Sequence, residues 1–294
     1  MKMNMLTKDL FHERMRSLQK DRTIKIIRVP IQTPTLWPHT ETNCYLIGND
    51  KESLLVDAGY DHQTTKKELE RAILENSLAK PKSIILTHSH PDHALGVRQL
   101  IDWSPIVYCH NDEKQAIMAA ISPVNELSIL NDDDIIRIAG LDITVIHTPG
   151  HTAGHLSLYI ASEEILIAGD NIVTDGTTWI GPPDGDMTDY VHTLNRLKQL
   201  KITKIGPGHG EWVLNPHEQI EFVLERRLYR ESQIKSLLKE HKQLTSNRLT
   251  NLIYKNTIHP SIYEVAKRTT EAHLIKLMKE DHVSLKDSVY SLRS

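Results

Sequence analysis

Cysteine is nearly missing: the 294 residues contain two, Cys44 and Cys109, far apart and outside any C-x-x-C pair. That excludes a disulfide scaffold and a zinc ribbon, and it fits a reducing compartment. Long apolar runs are missing as well. No stretch of about eighteen such residues occurs, so nothing is expected to span a bilayer, and the first twenty residues are too polar for a signal peptide. A cytoplasmic protein is expected. Leu6, Leu10, Phe11, Met15 and Leu18 pattern as a short amphipathic helix. A transit peptide is the competing reading, against which Asp9 and Glu13 count, because such peptides avoid acids. Nor is there an excess of either charge. The 35 Lys and Arg meet 38 Asp and Glu for a formal net charge of -3, which points to neither a strong nucleic-acid binder nor a membrane-surface protein. Hydrophobic residues make up 39% and charged ones 25%, an ordinary globular composition with material for one large domain or a large and a small one.

Histidine is what the chain has in excess, seventeen in all. Three of them fall in Thr87-His88-Ser89-His90-Pro91-Asp92-His93, directly after the β-branched apolar run Ser83-Ile84-Ile85-Leu86 that reads as a buried strand. Imidazole nitrogen and carboxylate oxygen suit zinc and neighbouring first-row ions. His88 and His90, two apart in extended chain, point the same way and can share one ion. Pro91 breaks that geometry and suits the first turn of a helix, so Asp92 and His93 fan toward a second position. The alternative is a polar loop whose histidines pack or hydrogen-bond.

Around this stretch the chain alternates strands and helices. Residues 24–30, 43–48 and 53–59 read as strands, the last two joined by a turn at Asn49-Asp50. The loop 32–42, with Trp37 and two prolines, is either a wall of the site or a packed surface loop. Residues 66–78 read as a helix ended by Pro81, making a βαβ-like unit with the strand before His88. A helix over 97–101, a strand over 105–108 and a helix over 112–121 follow. Strands over 135–138 and 141–146 turn at Ala139-Gly140. The preceding Asp132-Asp133-Asp134 is a charged turn or, alternatively, a cation site. Strands over 156–160 and 164–168 come next. Further candidate ligands sit after strands: His151 in His147-Thr148-Pro149-Gly150-His151-Thr152-Ala153-Gly154-His155, Asp170 in Gly169-Asp170-Asn171, and His209 in Gly206-Pro207-Gly208-His209-Gly210.

The ordered set T-H-S-H-P-D-H, T-P-G-H-T-A-G-H, A-G-D-N and G-P-G-H-G, from about Asn43 to about Gly210, resembles the metallo-β-lactamase fold hydrolases, in particular their glyoxalase II-like branch. The resemblance implies an α/β fold, an αββα sandwich. It implies two divalent ions, zinc first with iron or manganese as alternatives. One would be held by His88, His90 and His151 and the other by Asp92, His93 and His209, with Asp170 bridging. Asp57 matches the family's outer aspartate, whose carboxylate orients a ligating imidazole; a plain strand-end turn residue is the other reading. His155 is expected to pack the loop rather than bind an ion. True β-lactamases of the fold use a cysteine ligand where Asp170 stands here, so antibiotic hydrolysis is disfavoured. Two ions about 3.5–4 Å apart activate a bridging hydroxide, and Asp92 has a further candidate role in proton transfer to the leaving group.

Beyond Gly210, residues 218–241 carry apolar residues at helical spacing without glycine or proline, which predicts one long helix. Helices opening at Thr245, at Ser261 and over 272–279, then Val283-Ser284-Leu285, describe a winged-helix-like domain. Ile253-Tyr254-Lys255-Asn256-Thr257 and His273-Leu274-Ile275-Lys276-Leu277 resemble the C-terminal domain of the β-lactamase-like protein 2 group, which contains an endoribonuclease of single-stranded RNA. From His217 onward fourteen Lys and Arg face ten Asp and Glu, a mild bias that RNA binding would use. A solvated helix face, a cover for the cleft or a pairing surface are the plainer uses. The expected division is a catalytic domain over 1–215, a connecting helix over 216–240 and a winged-helix-like domain over 241–294. The expected activity is hydrolysis of a small thioester or ester, like that of hydroxyacylglutathione hydrolases. RNA phosphodiester cleavage is the enzymatic alternative, lactone opening comes third, and a non-catalytic metal-binding regulatory module is the alternative of another class. A small-molecule substrate and no membrane partner are expected. The oligomeric state is open, a dimer being one option.

Overall fold

The computed structural model describes residues 24–35, 40–124, 126–254 and 257–293. The amphipathic helix expected near Leu10, and Trp37 of the expected site wall, lie outside them. The first sheet has six strands in the order β1 (Lys25–Gln32), β2 (Glu41–Gly48), β3 (Ser53–Val56), β4 (Ser83–Ile85), β5 (Ile106–Cys109) and β6 (Ser128–Ile129). The second runs β11 (Lys204–Pro207), β10 (Ile165–Gly169), β9 (Leu156–Ile160), β8 (Leu141–His147) and β7 (Ile135–Ile138). Helix α1 (Gln63–Glu75) crosses from β3 to the parallel β4, the expected βαβ unit.

Both faces of the central strands are buried, which is why they read as unbroken apolar runs rather than alternating ones. In β2, Cys44 and Leu46 join the core under α1, while Tyr45 and Ile47 join the core between the sheets. Leu54 and Val56 face inward beside Ile85, opposite Ile143, Val145, Leu158 and Ile167 of the second sheet. The far side of the second sheet is covered by α4 (Met187–Leu197), through Tyr190 and Leu194, and by α5 (Pro216–His241), through Ile220, Val223 and Leu224. These layers are the αββα sandwich.

The sequence reading differs from the structure in four places. The helix expected to continue after Asp92-His93 over 97–101 does start there, as a short α2 (Pro91–Ala94), but continues as a 3-10 helix, Leu95–Trp103. The helix expected at 112–121 begins as a 3-10 turn, Asn111–Glu113, and becomes α3 (Lys114–Ala120). The helices expected to open at Ser261 and Ala272 are a 3-10 turn, Pro260–Ile262, and one continuous α7 (Tyr263–Lys279). Thr269 and Thr270 in its middle keep their hydroxyls satisfied inside the helix, on the carbonyls of Val265 (3.2 Å) and Ala266 (3.0 Å). Finally, β6 and α4 were not expected at all.

The C-terminal unit consists of α6 (Ser246–Tyr254), α7 and the hairpin β12 (Val283–Lys286) and β13 (Val289–Leu292), around Leu249, Leu274, Leu277 and Val283. Helix α5 belongs to both units: its first half packs on the second sheet and its second half, through Ile234 and Leu238, enters this smaller core. Among the described residues no helix is long and apolar enough to cross a membrane.

Candidate metal centre

The expected ligands lie just after strands, in loops or, for Asp92 and His93, in the short helix α2, at one end of the two sheets. β4 leads into Thr87 and His88, and Pro91 stands in the first turn of α2 with His90 as its N-cap, as its fixed φ favours. His151 follows β8, Asp170 follows β10 and His209 follows β11. β2 clamps the last loop: the Asn43 amide nitrogen donates to the Pro207 and Gly210 carbonyls (2.9 and 2.7 Å) and the Tyr45 hydroxyl donates to Pro207 (2.7 Å).

The structure brings all seven side chains together. His88 Nε2 and His151 Nε2 each lie 3.0 Å from His90 Nδ1. A tetrahedral ion at zinc–nitrogen distance needs its ligand nitrogens about 3.3 Å apart, so these three fit one. His88 and His90 share the position with different ring nitrogens, because the strand ends before them and the chain turns. On the other side, His93 Nε2 and His209 Nε2 lie 3.5 and 3.4 Å from Asp92 Oδ2. Asp170 stands between the groups, Oδ1 3.2 Å from His93 Nε2, and Oδ2 3.3 Å from His209 Nε2 and 3.6 Å from His151 Nε2. His93 Nε2 and Asp170 Oδ1 face each other as an ion pair but off the hydrogen-bonding direction, so both are buried without a hydrogen-bond partner. Buried polar atoms rarely go without a partner. Gly208 completes the cradle: a Cβ there would sit 2.0 Å from Asp170 Oδ1 and 3.0 Å from His93 Cε1. The donor set, the orphaned atoms and the space kept by Gly208 fit divalent ions.

Four of the five imidazoles, His88, His93, His151 and His209, have their second nitrogen hydrogen-bonded, which fixes the tautomer and aims the first. His93 Nδ1 meets Asp57 Oδ2 at 2.7 Å, the orienting part expected of that aspartate. Asp57 also accepts from the Thr87 amide (2.8 Å) and hydroxyl (2.9 Å), and that hydroxyl lies 2.9 Å from His88 Nδ1. One carboxylate thus braces a ligand of each group. His209 Nδ1 donates to the Glu41 carbonyl and His151 Nδ1 to the Trp179 carbonyl, both at 2.8 Å. His90 Nε2 has Asp184 Oδ2 3.8 Å away.

Electrostatics divide the two groups. Burial pushes the His88 imidazole well down and His151 down to about 4, so both present neutral lone pairs. Burial also opposes charge on His93 and His209, but the carboxylates of Asp170 and Asp92 outweigh it, raising His93 well above the usual range and His209 to about 10. Asp92 and Asp170 are held well below the carboxylate range against their burial, Asp92 first by His93 and Asp170 first by His209. Positive charge is stabilised where the second ion is expected.

His155 packs, as expected. Buried, it accepts from the Asp170 amide through Nε2 (3.2 Å) and faces the Thr148 hydroxyl through Nδ1 (2.9 Å). Asp132 accepts from the His147 amide (2.7 Å) and Arg196 (2.9 Å), and Asp134 accepts from the Asn131 amide (2.7 Å), so the acidic run serves as a charged turn. His110, Asp112 and His147 also lie close enough to hold a metal. The two rings there stack at 4.2 Å and 8°, however, which keeps their in-plane lone pairs parallel rather than convergent. Burial raises the thiols of Cys44 and Cys109, the latter to about 12, so neither is a thiolate nucleophile.

Sequence reasoning missed Glu113, Trp179 and Asp184. Buried Glu113 accepts from the amides of Ser89 and Gly154, both at 3.0 Å, and so joins two ligand loops. A lone Glu at a helix start gives no such signal; Gly-Pro-Pro-Asp-Gly at 181–185 at least marks a special loop beside the other two. The centre opens into an 830 Å³ cleft whose walls include Tyr60, Val173, Thr178 and Trp179.

Comparison with known proteins agrees with this geometry. The family described as Metallo-beta-lactamase superfamily matches residues 37–209, and the Beta-lactamase associated winged helix domain matches residues 245–290. A Beta-lactamase-like protein 2 homolog of Caenorhabditis elegans is 32% identical over 222 residues, covering 74% of this chain and 72% of the relative. An Atrochrysone carboxyl ACP thioesterase of Aspergillus chevalieri is 26% identical, covering 87% and 80%. The crystal structure of a metallo-beta-lactamase family protein from Thermus thermophilus shares the fold at TM-score 0.77 and 22% identity, over 91% of this chain and 98% of that one. By these matches the chain belongs to the metallo-beta-lactamase superfamily and carries that superfamily's associated winged-helix domain.

Proposed function

We propose that the protein is a dinuclear metal-dependent hydrolase of a thioester or other small ester. His88, His90 and His151 would hold one ion, Asp92, His93 and His209 the other, and Asp170 both. The observation that carries the reading is the convergence of these seven donors, with His93 Nε2 and Asp170 Oδ1 buried without hydrogen-bond partners, at the floor of an open cleft. Divalent ions held there supply Lewis acidity toward a carbonyl or phosphoryl oxygen and lower the pKa of water, which removes the need for a serine or cysteine nucleophile. Zinc suits the donors best, and iron and manganese accept the same mix.

The chain's own residues orient the rest. Asp92 receives a hydrogen bond from the buried Thr42 hydroxyl at 2.8 Å and is ionised across the neutral range. It is a ligand first; as so weak a base, its part in proton transfer is secondary. At 830 Å³ the cleft is of the size that small ligands fill, and Val173 and the Trp179 ring give an acyl group an apolar wall. The thioesterase among the relatives supports this choice of bond.

A panel of acyl thioesters and esters, assayed with metal-loaded wild type and His88→Ala, tests the proposal. Turnover of at least one thioester, lost in the variant, is expected. Cleavage of single-stranded RNA instead, lost in the same variant and with binding that weakens steeply with salt, would replace the substrate class. Two equivalents of bound metal with no turnover of either would favour a regulatory module.

A further inference from the structure

Residues 173–186 run without regular structure from the Asp170 loop to α4, and form a strap beside the centre. On its inner side the strap touches the three-imidazole group. The Trp179 carbonyl accepts from His151 Nδ1 at 2.8 Å, and the Asp186 amide donates to the Gly150 carbonyl at 2.9 Å. At Gly185 a Cβ would come within 2.9 Å of the Gly150 carbonyl oxygen and 3.1 Å of that of His151.

Its outer side is tied to the C-terminal helices at four points. Gln219 of α5 donates to the Val173 carbonyl at 2.8 Å, and Arg227 of α5 donates to the Thr178 carbonyl. From α7, Arg268 donates to the Pro182 carbonyl at 2.8 Å and Lys279 pairs with Asp186 at 2.5 Å. The anchored positions, 173, 178, 182 and 186, recur every four or five residues along the strap.

Arg227 is the costly anchor. It is 6% exposed, it lies 5.5 Å from the Tyr190 ring, and its Nε is buried and unpaired. Burying a guanidinium against neutral partners is unfavourable, by far more than one carbonyl bond returns. The Thr178 carbonyl it holds belongs to the peptide next to the one that orients His151. The other group meets the strap only near its start among the described residues, where the Thr174 hydroxyl donates to the His209 carbonyl at 3.4 Å beside the Gln219 anchor, away from the arginines; His93 and His209 are braced by Asp57, just after β3, and by the Glu41 carbonyl of β2.

We propose that the C-terminal helices are a working part of the metal centre: Arg227 and Arg268 are positioning residues that hold the Trp179 carbonyl against His151 and so set ion affinity at the three-imidazole site alone. This rests on the reading that His88, His90 and His151 hold an ion, but it does not depend on the substrate.

Full-length protein is titrated with Zn²⁺ against a competing chelator in two backgrounds, His209→Ala to isolate the three-imidazole site and His151→Ala to isolate the other. Hydrogen exchange of the strap amides is read without metal. Arg227→Met is expected to weaken Zn²⁺ about tenfold in the first background, the low end for outer partners of metal ligands, and to leave the second unchanged. Exchange over 175–186 rises in Arg227→Met and in Arg268→Met, and Arg227→Lys, which keeps a donor, restores part of both. Arg268 lies on an exposed face, so Arg268→Met carries the test if Arg227→Met does not fold. Equal weakening in both backgrounds, or unchanged affinity despite faster strap exchange, would overturn the proposal. Failure of every background to bind Zn²⁺ would sink the metal reading instead, and unchanged strap exchange would still refute the anchoring.

Discussion

Replacing Asp57 by asparagine tests the bracing of the centre with the least disturbance. Asp57 has φ +56, a left-handed conformation that asparagine tolerates nearly as well as aspartate, so the backbone is not strained. What changes is one oxygen. The carboxylate accepts three bonds, from the Thr87 amide (2.8 Å), the Thr87 hydroxyl (2.9 Å) and His93 Nδ1 (2.7 Å), whereas an amide keeps one acceptor oxygen and adds a donor. The cheaper flip keeps that oxygen on His93 and the hydroxyl, and turns the NH₂ toward the Thr87 amide, leaving a buried donor facing a donor. That costs about 1–3 kcal/mol of fold stability. Removing the charge that polarises His93, and loosening the Thr87 hydroxyl that steadies His88, costs about 10–100-fold in metal affinity, or about 1.4–2.7 kcal/mol. Both ions are expected to weaken, because Asp57 reaches a ligand of each group. Calorimetric Zn²⁺ titration with chelator competition reads the affinity, and thermal unfolding of the metal-free protein reads the stability. Wild-type affinity for both ions in Asp57→Asn would refute the bracing role.

Other perturbations probe different parts of the site. Gly208→Ala places a Cβ 2.0 Å from Asp170 Oδ1 and must displace the shared carboxylate, so equilibrium dialysis should show loss of ions from both positions; retention of both would mean that Asp170 is not the bridge. His93 and His209 are raised, His209 to about 10, so both carry protons in metal-free protein at neutral pH and must lose them to bind an ion. Uptake at their site should release about two protons near pH 7, and affinity should climb as pH rises toward those values. Calorimetry in two buffers of different ionisation enthalpy reads the protons directly, and no difference between the buffers would contradict the protonated state.

The candidate ligands were legible because their chemistry is local. Strand ends present side chains at fixed places, and a histidine two residues from another, with Pro91 and Asp92 behind it, restricts what the loop can do. The layers were legible because strands buried on both faces leave continuous apolar runs, as in Leu54-Leu55-Val56. What supports the ligands was not legible. Glu113, the Glu41 carbonyl and the Trp179 carbonyl act across long sequence separations, and a backbone carbonyl has no residue type to announce it. Helix α4 was overlooked although Asp186 caps it, accepting from Thr188 (2.8 Å) and Asp189 (3.2 Å), and Tyr190, Leu194 and Leu197 carry its period. The helices expected at Ser261 and over 272–279 are one α7: the β-branched Thr269-Thr270 between them would weaken a helix in isolation, but packing of Ala272 on one core and Leu274 on the other holds it.

Anomalous diffraction from crystals of the protein loaded with Zn²⁺ tests the central claim most directly. Two peaks are predicted, one among His88, His90 and His151 and one among Asp92, His93 and His209, with Asp170 reaching both. A single peak elsewhere, or none with the seven side chains ordered as they are here, would contradict it.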